Sequence, residues 1–109
     1  VLGNFGGGGI FHYRSFYPND AALRFWSGLI LEKQKQNIRA ISEFRKAIEF
    51  GFGHWRVFWY LARVAEQLNA VPLITEALQK ILEASPNFTD AQKMLQRYQS
   101  ANLVIVPYD

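Results

Sequence analysis

The feature that most constrains the fold of this chain is an internal repeat with a period of 34 residues. When the 109-residue sequence is shifted against itself by that period, identical residues coincide without a gap. The coinciding pairs are Glu32 with Glu66, Lys46 with Lys80, Glu49 with Glu83, Leu61 with Leu95, and Arg63 with Arg97. Units of this length bury their apolar faces only against neighbouring units. The period therefore predicts a stack of repeats.

The first unit contains two segments with helical periodicity. We predict a helix over residues 21–35, which Asn19 or Asp20 caps. A second helix is predicted from a cap at Asn37 to a stop at Gly51. Its apolar residues recur at the spacing of a half-buried helix. They are Ile41, Phe44, Ala47 and Ile48, and Leu78, Ile81 and Leu82 repeat the pattern one unit later.

The second unit repeats this arrangement. Its first helix is predicted over residues 55–68, with Asn69 at its end. Its second helix starts near Pro72, because the missing N–H of proline costs nothing in the first turn, and it stops at Ser85 and Pro86. A fifth helix is predicted to begin at Thr89.

The resulting domain organisation has three parts. Residues 1–20 form an arm or linker that is rich in glycine and aromatic residues. Residues 21–100 form the helical repeat domain, with units 21–54 and 55–88 and a capping helix 89–100 in which Thr89 and Gln92 form a capping box. Residues 101–109 form an extended apolar tail.

The sequence resembles the tetratricopeptide-repeat family, whose unit is a helix, a turn and a helix. The best-matching stretch is AISEFRKAIEF at residues 40–50, and the second unit matches at Phe58, Leu61, Ala62, Ala65 and Pro86. The sequence departs from the family pattern at Arg24, Ser27, Lys35, Phe52 and Ile74. The resemblance implies an all-α solenoid of about five helices with right-handed stacking. Gly28 inside a helix independently indicates a close helix crossing, since glycine there costs about 1 kcal/mol.

In repeats of this family the first helix of each unit lines a concave groove that binds a partner peptide. Carried over by position, the groove residues here are Phe25, Leu29, Lys33, Arg56, Trp59, Arg63, Lys93 and Arg97, accompanied by Ala22, Glu32, Glu66, Gln67 and Asp90. An aromatic ring flanked by guanidinium groups suits an acidic or carboxylate-bearing peptide with an apolar side chain. The alternative is that Trp59 packs in the core and that the arginines pair with Glu66 and its neighbours. The positions of the family's two-carboxylate clamp hold other residue types here, so that activity is not predicted.

Composition argues against chemistry of the chain's own. There is no cysteine, and the two histidines, His12 and His54, are too few for a conventional zinc site and have no nucleophile constellation around them. The run of four glycines lacks the lysine of a phosphate-binding loop. The net charge of +3 is too small to indicate nucleic-acid binding, and no segment is long and apolar enough to span a membrane. We therefore predict no metal site and no cofactor, and the compartment stays undetermined.

The predicted function is a non-catalytic protein–protein interaction module with a protein or peptide partner. Two alternatives remain open. The chain is an accessory or assembly domain of a larger enzyme, such as a glycosyltransferase or methyltransferase, or it is a scaffold that self-associates as a homo-oligomer. The N-terminal arm bears on this choice, because Trp26 and Ile30 have no preceding repeat to pack against. The arm, a neighbouring domain or a second copy of the chain would cover them.

Overall fold

The structure is a computed structural model that describes the backbone of residues 16–105 and the side chains of residues 16–100. These residues fold into five helices and contain no strand. The helices are α1 (Ala21–Lys33), α2 (Asn37–Glu49), α3 (Trp55–Gln67), α4 (Val71–Ala84) and α5 (Thr89–Ile105). The all-helical class and the number of helices are as predicted from the sequence.

The helices pack as two hairpins followed by a single helix. α1 lies against α2, and α3 lies against α4, while α2 contacts α3 and α4 contacts α5 to join successive units. The core runs along these contacts, and the same repeat positions supply it in both units. Phe44 and Leu78 are fully buried at one such position, and Ala47 and Ile81 are fully buried at another. The 34-residue register is therefore a register of buried positions.

Gly28 marks the closest approach between α1 and α2. A Cβ atom placed on Gly28 would lie 2.5 Å from Cε1 of Phe44, a distance that real Cβ contacts essentially never show. The equivalent residue of the second unit, Ala62, is fully buried, and the position of Phe44 is held in that unit by the smaller Leu78. The packing reason expected for a glycine inside a helix is thus the ring of Phe44.

Three helices end in the same hydrogen-bonded turn. After α1, α2 and α3 the chain enters the left-handed region at Lys35 (φ 63°), Gly51 (φ 110°) and Asn69 (φ 55°). After α2, for example, the amide of Phe52 donates to the carbonyl of Ala47 at 2.8 Å. This is the Schellman arrangement, which satisfies the last helical carbonyl groups. The predicted stops at Gly51 and Asn69 are confirmed, and Lys35 occupies the position where the family has glycine.

The residues that cap the helix starts agree with the prediction for α1 but not for α2. The carboxylate of Asp20 accepts the amide of Leu23 at 3.1 Å and caps α1, as predicted. Asn37 is not the cap of α2, because it is the first helical residue and its amide donates instead to Gln67 at 3.1 Å. His54 caps α3, a role that the sequence analysis did not assign.

The fifth helix differs from its prediction at both ends. Gln92 forms no capping box with Thr89, because its amide reaches back to the carbonyl of Pro86. The helix also continues to Ile105, so residues 101–105 are helical where an extended tail was predicted. Nothing in residues 101–105 breaks a helix, whereas Pro107 disfavours helical backbone at the residue before it. Residues 106–109 and the predicted arm residues 1–15 lie outside the described part of the chain.

Two departures from the family pattern, Arg24 and Ser27, are explained by hydrogen bonds of α1 side chains. Arg24, where the family has a large aromatic residue, is largely buried and places its guanidinium 3.2 Å from both carboxylate oxygens of Glu43. The same side chain donates to the carbonyl of Pro18 at 2.9 Å. Ser27 is fully buried, and its hydroxyl donates to the carbonyl of Leu23 at 2.8 Å. The buried polar groups of Arg24 and Ser27 therefore both have hydrogen-bond partners, as buried polar groups in proteins usually do.

Candidate functional site

The three first helices of the stack, α1, α3 and α5, lie on one side of the molecule. α1 contacts α3 directly. On α5, Arg97 reaches Glu66 of α3 at 3.3 Å. We call the surface formed by these three helices the first-helix face, and it carries the groove residues predicted from the sequence.

A cleft of about 450 Å³ opens on this face between α1 and α3. Its walls are mostly aromatic and its polar groups come from α3 and the loop before it. It is lined by Phe25, Trp26 and Leu29 of α1, by Phe52 and His54 of the loop, and by Arg56 and Tyr60 of α3. We call this site the aromatic cleft. Its size falls in the range of pockets that hold a specific ligand group.

Phe25 organises the walls of the aromatic cleft. Its ring stacks on Phe52 with a centroid distance of 4.7 Å and meets Tyr60 edge-on at 6.1 Å and Trp26 edge-on at 6.0 Å. Offset and edge-to-face pairs are the favoured arrangements of aromatic rings. The position where the family has its closing proline is held here by Phe52, whose place is fixed by the turn at Gly51. The cleft is therefore rigidly walled on the side of α1.

The mouth of the aromatic cleft presents hydrogen-bond donors. Nδ1 of His54 accepts the amide of Arg56 at 3.2 Å. A neutral imidazole that accepts at Nδ1 carries its proton at Nε2, so the remaining nitrogen of His54 is a donor. The guanidinium of Arg56 is exposed and lies 5.6 Å from the ring of Trp55. Donors and a cation beside apolar walls fit a ligand that combines an apolar group with an anion.

Farther along α3, Trp59 packs rather than standing free. Its ring lies 5.5 Å from Phe88, which also meets Trp55 edge-on at 5.1 Å. Trp59 is half-buried and contacts the core. The packing of Trp59 agrees with the alternative given in the sequence analysis, whereas its role in a groove stays a prediction.

Between α3 and α5, the carboxylate of Glu66 is held by two residues. The hydroxyl of Tyr98 donates to Oε2 of Glu66 at 2.7 Å, and Arg97 approaches the same oxygen at 3.3 Å. Burial, followed by the Glu66 hydrogen bond and charge, raises the pKa of the Tyr98 phenol above its ordinary value of 10.0. Arg97 therefore forms the carboxylate pair that the alternative reading of the sequence anticipated.

The other basic residues of the predicted groove differ from Arg97 in having no carboxylate partner within residues 16–100. Lys33, Arg56, Arg63 and Lys93 are exposed, and none of them forms an ion pair with a carboxylate within residues 16–100. Arg63 stands one repeat before Arg97, and the residue one repeat before Glu66 is Glu32. A pair equivalent to Arg97–Glu66 would therefore join Arg63 to Glu32. The residue that orients the acceptor carboxylate, Tyr98, corresponds to Val64, which has no hydroxyl. The first-helix face thus carries four cations that are available to a ligand.

The predicted site residues separate into groups. Phe25, Leu29 and Arg56 come together in the aromatic cleft, but Phe25 is only 7% exposed, so it forms the floor rather than a free contact surface. Arg97 lies with Glu66 at the α3–α5 junction. Within residues 16–100, no ion pair or cation–ring contact joins Lys33, Arg63 or Lys93 to these groups, although helical spacing places Arg56, Trp59 and Arg63 on one side of α3.

Four cleft residues were not predicted as site residues: Trp26, Phe52, His54 and Tyr60. Two of them carried a signal in the sequence. Phe52 replaces a proline of the family pattern, and His54 directly precedes a helix. Trp26 and Tyr60 are one repeat apart, at a position that ordinarily faces the neighbouring unit, and nothing in the sequence distinguished that role from a ligand contact.

A second cleft, of about 340 Å³, lies among α2, α3 and α4. Its floor is apolar, and its charged residues are Arg45, Glu49, Glu76 and Lys80. Two basic and two acidic groups leave this cleft without a net charge, so it has no electrostatic preference for an anionic ligand. It serves as the internal reference for the aromatic cleft.

The fold is similar to that of the first TPR domain of Spaghetti (RPAP3), solved bound to the HSP90 peptide SRMEEVD. The TM-score is 0.71 and the sequence identity is 15%, with 86% of this chain and 76% of that chain covered. The chain has the tetratricopeptide-repeat fold. The fold class and the resemblance seen in the sequence are thereby confirmed at the level of structure. No protein-family model matches the chain, and no curated protein matches it.

The described part of this chain contains neither a candidate membrane span nor a candidate metal cluster. Among its described helices, none combines the length and the apolar character that a membrane span needs. Within the described residues, histidine and carboxylate side chains form no group of three that could hold a metal ion.

Proposed function

We propose that this chain is a protein-interaction module whose first-helix face binds an acidic peptide segment, with one bulky apolar side chain of that segment seated in the aromatic cleft. The observation that carries the proposal is the combination of an apolar cleft with unpaired cations on the same face. The tetratricopeptide-repeat fold is generally a non-catalytic interaction fold, and this agrees with the proposal.

The aromatic cleft supplies the anchor. Phe25 forms its floor and Phe52 and Tyr60 its walls, and contacts of Phe25 with the other two rings hold them before any ligand arrives. A preformed pocket avoids the ordering cost that a mobile one incurs on binding. Aromatic side chains in such pockets are the residues that most often dominate binding energy. A leucine, methionine or aromatic side chain of the ligand fits this surface.

The cations supply the preference for acidic residues. Arg56 stands at the mouth of the cleft, and Arg63 follows it on the same side of α3, two turns away. Lys33 on α1 and Lys93 on α5 extend the positive charge to the neighbouring helices. Because these groups are exposed, their effect is on association rate and on partner choice, and it weakens as salt rises.

The structural neighbour supports the proposal because a protein of the same fold binds a peptide. Its bound peptide, SRMEEVD, contains adjacent glutamates. The two chains share only 15% identity, so the similarity concerns the fold. The present chain's own residues, and the aromatic cleft in particular, carry the argument for an apolar anchor beside the acidic groups.

The proposal is tested by fluorescence anisotropy with a labelled acidic peptide that has one central leucine between glutamates. We expect saturable binding that weakens as salt rises. Replacing the leucine by serine, or the glutamates by lysines, removes the anchor or the charge and weakens binding at least about tenfold. Equal binding of all three peptides would contradict the proposal.

A pair of charge reversals locates the site. Arg56→Glu places a carboxylate at the mouth of the aromatic cleft, and we expect about tenfold weaker binding of the acidic peptide. Arg45→Glu makes the same change in the cleft among α2, α3 and α4, and we expect binding to stay within twofold. Circular dichroism of both variants controls for folding. If Arg45→Glu were the damaging change, the ligand would bind in the cleft among α2, α3 and α4 and the proposal would be wrong.

A further inference from the structure

The first-helix face, where the acidic ligand is proposed to bind, carries a carboxylate of its own at Glu66. The hydroxyl of Tyr98 donates to Oε2 of Glu66 at 2.7 Å, and the guanidinium of Arg97 donates to the same oxygen at 3.3 Å. A hydroxyl and a guanidinium of α5 thus bind a carboxylate of α3. A carboxylate of an acidic ligand would make the same contacts on a basic surface.

The guanidinium of Arg97 is not hidden from a ligand by burial. The side chain of Arg97 is 66% exposed, and that of Glu66 is 37% exposed. Exposed ion pairs contribute little to stability, because the long side chains lose entropy and water screens the charges. The contact with Arg97 alone would therefore hold Glu66 only weakly, and a ligand carboxylate would compete with it.

Tyr98 supplies the firmer contact to Glu66. The ring of Tyr98 is half-buried and packs against the core, so its hydroxyl has a fixed position. A hydrogen bond from a hydroxyl to a carboxylate is shorter and stronger than one between neutral groups. The Glu66 carboxylate is therefore kept beside Arg97 by a residue that the core itself positions.

The equivalent positions one repeat earlier provide a comparison within the same molecule. They hold Glu32, Arg63 and Val64, so the carboxylate and the guanidinium are retained while a fully buried apolar residue replaces the tyrosine. Within residues 16–100, neither Glu32 nor Arg63 belongs to an ion pair. The ion pair is thus present in the repeat that has the hydroxyl and absent in the repeat that lacks it.

We propose that Glu66, positioned by Tyr98, occupies Arg97 in place of a ligand carboxylate, and that Glu66 thereby determines which cations of the first-helix face an acidic ligand contacts. This inference rests on the proposed function. It assigns ligand contacts to Arg56 and Arg63 and excludes Arg97, although Arg63 and Arg97 are equivalent in the repeat. A substitution that frees Arg97 should extend the recognised acidic segment toward α5.

The test is fluorescence anisotropy with the full chain and a labelled peptide of about 12 residues, in which glutamates stand on both sides of a central leucine. An extended peptide of this length spans about 40 Å and is long enough to cross all three first helices. Arg63→Gln and Arg97→Gln each remove one positive charge from equivalent positions. We expect about fivefold weaker binding for Arg63→Gln and a change of less than twofold for Arg97→Gln.

A second pair of variants frees Arg97. Glu66→Gln removes the carboxylate that Arg97 contacts, and we expect about fivefold tighter binding of the peptide. Glu32→Gln removes the same charge one repeat earlier and is the matched control, with an expected change of less than twofold. In the Glu66→Gln chain, adding Arg97→Gln should abolish the gain, because the freed guanidinium is then gone. A gain that survives Arg97→Gln would overturn the inference.

The positioning role of Tyr98 has a readout of its own. Tyr98→Phe removes the hydroxyl and keeps the ring in the core, and we expect about twofold tighter binding that is again abolished by Arg97→Gln. A merely structural role of Tyr98 would lower the Tm without tightening binding. Unchanged or weaker binding by Tyr98→Phe would therefore contradict the role assigned to its hydroxyl.

The outcomes separate this inference from the proposed function. Equal weakening by Arg63→Gln and Arg97→Gln, or an equal gain from Glu66→Gln and Glu32→Gln, would overturn the inference while the proposed function stands. If neither the wild-type chain nor any variant binds the peptide, the proposed function is wrong and the inference fails with it. Circular dichroism of each variant controls for folding.

Discussion

The two repeat units pack the same helix hairpin with different chemistry. In the first unit, Arg24 of α1 pairs with Glu43 of α2 in a largely buried site. The same two positions in the second unit hold Phe58 and Ala77, an apolar contact. The hairpins nevertheless share their register and their buried positions. The repeat geometry is therefore set by the volumes and the spacing at the interface, and it tolerates a buried ion pair in place of a ring.

The pair of Gly28 and Phe44 teaches the same lesson about volume. In the second unit the corresponding residues are Ala62 and Leu78, so a larger residue on the first helix is matched by a smaller one on the second. The summed volume of the two side chains is about the same in both units, although each of the two residues differs. Substitutions that convert one unit toward the other test whether this compensation is real.

The largest effect is expected at the buried ion pair. Arg24→Ala removes the guanidinium from the carboxylate of Glu43 and opens space between α1 and α2. We expect the free energy of unfolding to fall by about 3 kcal/mol, measured by urea denaturation. The double variant Arg24→Phe with Glu43→Ala copies the second unit and should recover most of that loss. A double variant as unstable as Arg24→Ala would show that the two units are not interchangeable at this position.

A smaller effect is expected at Gly28. The added methyl group of Gly28→Ala would overlap the ring of Phe44, and we expect a loss of about 1–3 kcal/mol in urea denaturation. Adding Phe44→Leu reproduces the pairing of the second unit and should restore part of the stability. If Gly28→Ala proved stabilising, α1 and α2 would have to lie farther apart than described.

Substitutions in the turns after α1 and α2 are expected to change stability in opposite directions. Lys35 adopts a left-handed backbone that costs an L-residue with a side chain about 1 kcal/mol. Lys35→Gly should therefore raise the free energy of unfolding by up to about 1 kcal/mol. Gly51→Ala makes the reverse change at a left-handed position and should lower it by a similar amount. A destabilising Lys35→Gly would mean that the lysine side chain has a role beyond the turn.

The smallest effect concerns Tyr98 and pH. The raised pKa means that the folded state holds the phenolic proton more tightly than the unfolded state, so this stabilisation is present below pH 10 and is lost as pH rises through the folded pKa. Tyr98→Phe should flatten the decline in Tm above pH 10 while leaving the shape of the profile near neutral pH unchanged. An identical alkaline decline in the variant would indicate that other groups cause it.

Much of this fold could be predicted from the sequence because a repeat encodes its helices twice. The period located all five helices, and the stops at Gly51 and Asn69 follow from local backbone preferences. The ion pair of Arg24 could not be predicted, since folding brings Glu43 near it from 19 residues away. The cap at His54 is local, and it was missed because histidine is not among the preferred N-cap residues. The extent of α5 was misjudged because an apolar run before a proline fits a helix as well as an extended tail.

The candidate site was less predictable. Position in the repeat placed Leu29 and Arg56 beside the aromatic cleft, but the cleft also depends on Phe52, which enters from a loop. Arg97 and Arg63 occupy the same position in successive repeats, yet only Arg97 has a carboxylate partner within residues 16–100. The carboxylate that pairs with Arg97 also accepts a hydrogen bond from Tyr98, whereas the equivalent residue one repeat earlier, Val64, has no hydroxyl.

The central claim is that the aromatic cleft receives an apolar side chain of an acidic ligand. The most direct measurement is a titration of the ¹⁵N-labelled chain with the acidic leucine peptide, followed by NMR at the backbone amides and at the indole N–H groups of its three tryptophans. The account predicts that the signal of Trp26, which lines the cleft, shifts most, and that the serine peptide leaves it nearly unmoved. A titration in which Trp26 stays still while signals around the cleft of α2, α3 and α4 shift would contradict the account.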